Sequence, residues 1–68
     1  MSVAKVVELT GKSNKSFDDA LKQVAQRAAK TLNNVKCIDI INQTVDVNDQ
    51  GQITDYQVNC KVIFVLNE

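Results

Sequence analysis

The spacing of apolar residues changes twice along this chain, and the changes mark out four elements. The opening "SVAKVVELTG" is rich in valine and ends on Thr10-Gly11, which predicts a strand closed by a turn. After the polar "KSNKS", apolar positions recur every three or four residues, at Phe17, Ala20, Leu21, Val24, Ala25, Ala28 and Leu32. That period predicts one stripe of an amphipathic helix, with Lys22, Gln23, Gln26, Arg27 and Lys30 on a solvated opposite face. Ser16 is the expected N-cap, because Asp18 and Asp19 then fall in the first turn, near the positive end of the helix dipole. Asn33-Asn34 should end the helix, since asparagine tolerates the left-handed conformation.

Two long extended segments follow, Val35 to Val47 and Ile53 to Leu66. They are joined by "NDQGQ", in which Asn48, Asp49 and Gly51 supply the dihedrals of a hairpin turn. In the last segment Tyr56, Val58, Cys60, Val62, Phe64 and Leu66 alternate with the other residues, so one face of that strand should lie on the helix. The element order is strand, helix, strand, strand. A first strand returning through a helix runs parallel to the second, and the third is antiparallel to both. The simplest solution is an α+β fold, β-α-β-β, with a three-stranded antiparallel sheet of order 1-3-2 partly wrapped around one helix. Without proline, repeats or low-complexity tracts, residues 1–68 are expected to form one domain.

Length then bears on assembly. Strands of about 13 residues reach roughly 40 Å, whereas a helix of about 16 residues covers only about 24 Å. One helix cannot cover such a sheet. By alternation the bare face is expected to carry Val3, Val7, Leu9, Ile53, Ile63 and Val65, and exposed apolar area of that kind marks an interface. A 68-residue chain is also marginal as a lone core. Two cysteines and no histidine provide neither a disulfide scaffold nor a zinc site. Self-association into a homo-oligomer is the remaining route to stability.

Eight basic residues balance eight acidic ones and are scattered among them, and only Phe17, Tyr56 and Phe64 are aromatic, which argues against nucleic-acid binding. No apolar run approaches a membrane span and no signal-peptide pattern opens the chain, so a cytoplasmic location, away from membranes and with reduced cysteines, is expected. In "DVNDQGQ", Asp46, Asn48, Gln50 and Gly51 match part of a calcium loop, but Gln57 stands where the bidentate glutamate belongs, and the flanks read as strands. An ordinary hairpin turn is expected there. Cys37 and Cys60 should lie nearly across the hairpin from each other, Cys60 in the core. A thiol enzyme or redox sensor using Cys37 is the alternative of another class. It lacks a histidine base, and Lys36 and Lys61 adjoin the cysteines on strands whose neighbouring side chains point apart. No catalytic residue and no metal ligand is assigned, and the chain is not expected to be an enzyme.

Three stretches carry a family resemblance that spans nearly the whole chain. "VAKVVELTGKSNKSFDDAL" looks like the first strand, Thr-Gly turn and serine-rich helix start of the dodecins, "QRAAKTLNNV" resembles their helix end, and "TDYQVNCKVIFVL" resembles their last strand with its Tyr-Gln pair. The resemblance implies a hollow homododecamer that binds flavin (riboflavin or FMN) for storage or sequestration, stacked between subunits related by a two-fold axis. In that family a tryptophan at the start of the second strand stacks on the flavin, and its position falls on Cys37. The glutamine that bonds the ring edge matches Gln57, and a polar position near the ribityl chain is Asn42. Some dodecin-like proteins lacking the tryptophan are associated with calcium, so a shell binding a divalent ion such as calcium, or another small ligand, is the alternative. A closed interface with no ligand is the third outcome.

Overall fold

The computed structural model describes residues 3–66. It contains β1 (Ala4–Ser13), α1 (Phe17–Thr31), β2 (Val35–Val47) and β3 (Ile53–Val65), with β3 central and antiparallel to both neighbours. The order and directions are those expected from the sequence.

The core lies between α1 and one face of the sheet. Ala20, Val24 and Ala28 from the helix meet Val58, Cys60 and Val62 from β3, and all six are buried. Every one of them is small, so helix and sheet approach closely. Around this centre pack Val7, Leu9, Phe17, Leu21, Leu32, Val35 and Ile38. At one end Phe17 meets Tyr56 edge to face, with ring centroids 5.1 Å apart. That geometry sets the positive edge of one ring against the negative face of the other.

Local signals in the sequence set the boundaries. Ser16 caps α1 by accepting the Asp19 N–H at 2.9 Å. Ser13 adds a second cap: its hydroxyl accepts from the Lys15 N–H at 2.9 Å and donates to Asp19 Oδ2 at 2.6 Å. Asn34 takes φ 61 after the helix, and Gly51 takes φ 78 in the hairpin turn. In that turn Asn48 Oδ1 accepts from the N–H groups of Gln50 and Gln52, at 2.9 and 3.0 Å.

Several expectations need correction. β1 does not stop at Thr10-Gly11 but runs to Ser13. Gly11 serves close packing instead of a turn: a Cβ there would lie 2.5 Å from both Ala20 O and Val24 Cγ2. Val7 and Leu9 belong to the helix-covered face, because they stand opposite Val62 and Cys60, and directly opposed residues share a face. Val6 is the β1 valine left bare, at 50% exposure. Cys37 pairs with Ile63, not Cys60, so the two cysteines lie on opposite faces. Ala25 is exposed, at the margin of the helical stripe, and Leu66 is likewise exposed beyond the end of β3.

The hairpin of β2 and β3 projects past the helix, as the length argument requires. The chain measures 53 × 19 × 13 Å, and its radius of gyration is 14.2 Å. A compact chain of this length would have about 11 Å. Its accessible surface is 4972 Å², against about 4,200 Å² for a folded monomer of this mass. The surplus includes Ile41, Val45, Val47 and Ile53 on the projecting hairpin, all exposed.

Candidate functional site

Strand pairing fixes which residues share the bare face, the one turned away from α1. Lys61 lies between Glu8 and Asp39, Asn59 between Thr10 and Asn42, and Gln57 between Lys12 and Thr44. Cys37 lies beside Ile63, which in turn stands opposite Val6. All three residues singled out in the sequence, Cys37, Asn42 and Gln57, therefore occupy this face.

Asn42 reaches it through an irregularity. Alternation from Cys37 would turn Asn42 toward the helix, but the register shifts between Ile40 and Asn42. The extra residue, Ile41, restores Asn42 to the side of Cys37, as a β-bulge does.

A hydrogen-bonded ladder crosses all three strands here. The Thr10 hydroxyl donates to Asn59 Oδ1 at 2.8 Å, and Asn59 Nδ2 donates to Asn42 Oδ1 at 2.6 Å. Gln57 Nε2 also donates to Asn59 Oδ1, at 3.4 Å. Gln57 and Asn42 are thus brought together, with Asn59 between them. Among the described residues, Asn42 Nδ2 and Gln57 Oε1 make no hydrogen bond and remain available to a ligand. Beside the ladder Lys12 Nζ lies 2.7 Å from Asp46 Oδ2. The hydrogen bond that Lys12 donates to Asp46, together with the carboxylate's charge, raises the Lys12 pKa.

Cys37 is not part of this cluster. Its partner Ile63 is six residues along β3 from Gln57, a separation of about 20 Å. One chain therefore cannot put Cys37 and Gln57 against the same small ring. The cleft of about 300 Å³ beside β1 is lined by Leu9, Thr10, Gly11, Lys12, Gln23, Val24 and Arg27, and holds none of the three residues. The ladder lies on an open face.

The partial calcium loop is used up internally. Asn48 Oδ1 is committed to the turn and Asp46 to Lys12. Among the described residues no three His, Cys, Asp or Glu side chains gather into a metal site. No described helix is long and apolar enough to cross a membrane.

The dodecin family model matches residues 3–67. The chain belongs to the dodecin family. It is 33% identical to the calcium dodecin of Mycobacterium tuberculosis over 64 residues, covering 94% of this chain and 89% of that one. The solved dodecin from Streptomyces davaonensis superposes with a TM-score of 0.89 at 33% identity, over 98% of this chain and 97% of that one. A crystal structure of the calcium-chelating calcium dodecin from M. tuberculosis, described as having a novel calcium-binding site, gives 0.81 at 29% identity, over 97% and 93% of the two chains. The β-α-β-β fold of this dodecin is thus the fold of its relatives.

Asn59 and Thr10 escaped the sequence reading. The signal for Asn59 was present: it is two residues after Gln57 on a strand, so it shares that residue's face. Thr10 carried no such signal, because its place depends on the register between β1 and β3.

Proposed function

We propose that this dodecin is a homododecameric flavin-binding protein that stores or sequesters riboflavin or FMN in the cytoplasm, residues 1–68 acting as one domain and no reaction being catalysed. The observation that carries the reading is the pairing of Gln57 and Asn42 on the bare face, each with an unspent amide group. Gln57 offers a carbonyl and an N–H to the polar edge of the flavin ring, and Asn42 offers N–H donors to its hydroxylated chain. Cys37, about 20 Å away in the same chain, enters the site from a second copy, which accords with the exposed apolar hairpin. Flavin, when bound, contributes the planar ring, and the chain contributes the hydrogen bonds that orient it.

Cysteine in the place of an aromatic plate sacrifices the stacking surface. Riboflavin should therefore quench weakly on titration into the protein, and Cys37→Trp should tighten binding by about tenfold or more. No quenching by either protein would rule out flavin.

Calcium is the second reading, favoured by the kinship with the M. tuberculosis calcium dodecin. Calcium takes six to eight oxygens, whereas the oxygens of Asn42 and Asn59 are already accepting hydrogen bonds. A rise in Tm with calcium but not with magnesium would favour this reading over flavin.

A further inference from the structure

We propose that Asn59 is the positioning residue of this face: it fixes which atoms Asn42 and Gln57 turn outward, and so selects a neutral, acceptor-bearing organic ligand over a cation. The inference rests on the binding reading above and deepens it.

The direction of each hydrogen bond carries the proposal. Asn59 Oδ1 receives two donors, the Thr10 hydroxyl and the Gln57 amide, while Nδ2 gives its proton to Asn42 Oδ1. Asn42 has its carbonyl held inward, which leaves its NH2 group facing out. Reversing Asn59 would set its NH2 against the NH2 of Gln57, donor to donor, and its carbonyl against that of Asn42. The three amides reverse together or not at all. Asn59 is half-buried in the central strand, whereas Asn42 and Thr10 are exposed on the two edge strands. The central residue is the one whose rotation is most restricted, and it sets the polarity of the row. A face that shows N–H from Asn42 beside the Gln57 carbonyl pairs donor with acceptor. That suits an organic ligand carrying carbonyl or hydroxyl oxygen and leaves a metal ion only one of the two amide oxygens.

Asn59→Asp preserves shape but removes the donor to Asn42. Asn42 must then turn its NH2 inward to the new carboxylate. In the side-chain amide 15N–1H spectrum of the full-length protein, Asn59→Asp should move the Asn42 NH2 pair while the backbone amides of α1 stay in place. An unmoved Asn42 pair overturns the proposal whether or not any ligand binds. In riboflavin titrations the same variant should bind about tenfold more weakly, the loss of one good hydrogen bond. In an Asn42→Ala background, Asn59→Asp should cost little more, because its effect passes through Asn42. Additive losses would mean that Asn59 acts independently, and would overturn positioning. Absence of riboflavin binding by the unmodified protein counts against the flavin reading alone, and the amide spectrum then decides the role of Asn59. A calcium-dependent rise in Tm that disappears in Asn42→Ala would also overturn it, since that requires Asn42 Oδ1 to face out.

Discussion

The two faces of β3 are built from alternate residues of one strand and obey different rules. On the covered face Val58, Cys60 and Val62 pack with Ala20, Val24 and Ala28, all six buried. On the bare face Gln57, Asn59 and Lys61 stand among polar neighbours from both flanking strands. Volume decides what the first face tolerates, because a close-packed interior has no slack. Hydrogen-bond direction decides what the second can recognise. A single strand thus separates the residues that hold the fold from those free to meet a ligand, and the separation is only one residue wide.

Substitutions at neighbouring positions should expose the difference. The largest effect is expected at Gly11→Ala, whose new methyl meets the Ala20 carbonyl and Val24 at 2.5 Å. Helix backbone cannot retreat cheaply, so the loss should be about 3 kcal/mol in chemical denaturation. Thr10→Ala, one residue away on the bare face, should cost under about 1 kcal/mol, and comparable losses at the two sites would erase the distinction between faces.

The cysteines give an intermediate test. Cys60→Ser should cost about 2 kcal/mol, because a hydroxyl is buried among apolar side chains, whereas Cys37→Ser should leave the unfolding midpoint unchanged. A thiol reagent should label Cys37 in the native protein and Cys60 only after unfolding. Burial raises the Cys60 thiol above its ordinary value of 9.0. The folded chain then keeps a proton that the unfolded chain releases, so this contribution to stability is complete below about pH 9 and declines as pH rises further. Cys60→Val should flatten that decline. Equal labelling of both thiols in the native state would show the core to be open.

The smallest effect is expected at Lys12→Ala. Its bond to Asp46 is short, but both side chains are about half exposed, and such pairs contribute little. The unfolding midpoint should stay within experimental scatter in about 0.15 M salt.

Most of the fold was legible because periodicity reports burial directly. The step from a helical period to alternation separated α1 from the strands, and element order left one simple sheet. Ser16 and Asn34 marked the helix ends through local chemistry that needs no tertiary context. Pairing between strands is where the reading failed. Val7 and Leu9 were assigned to the wrong face because their side depends on register with β3, which no pattern within β1 records. Gly11 read as a turn because close approach to a helix leaves the same residue type behind. The candidate site was half legible: Gln57, Asn42 and Cys37 lie on one face, but Ile41 keeps Asn42 there, and a surplus residue in a strand has no signature of its own. The pairing of Cys37 with Cys60 failed because it depends on the register between β2 and β3, which no pattern within either strand records.

The overhang of the hairpin also has a consequence in time. β3 begins at an uncovered tip and meets α1 only from Tyr56 onward, so its amide protons should not exchange with solvent as one class. Those near Thr54 and Asp55 need only a local opening of two strands. Those at Val58 and Cys60 wait until the helix leaves the sheet, an opening close to global unfolding. A second copy seated on the tip would slow the fast end toward the rate of the covered end. The gradient of exchange along one strand therefore reads out, residue by residue, how far the bare hairpin has found its cover.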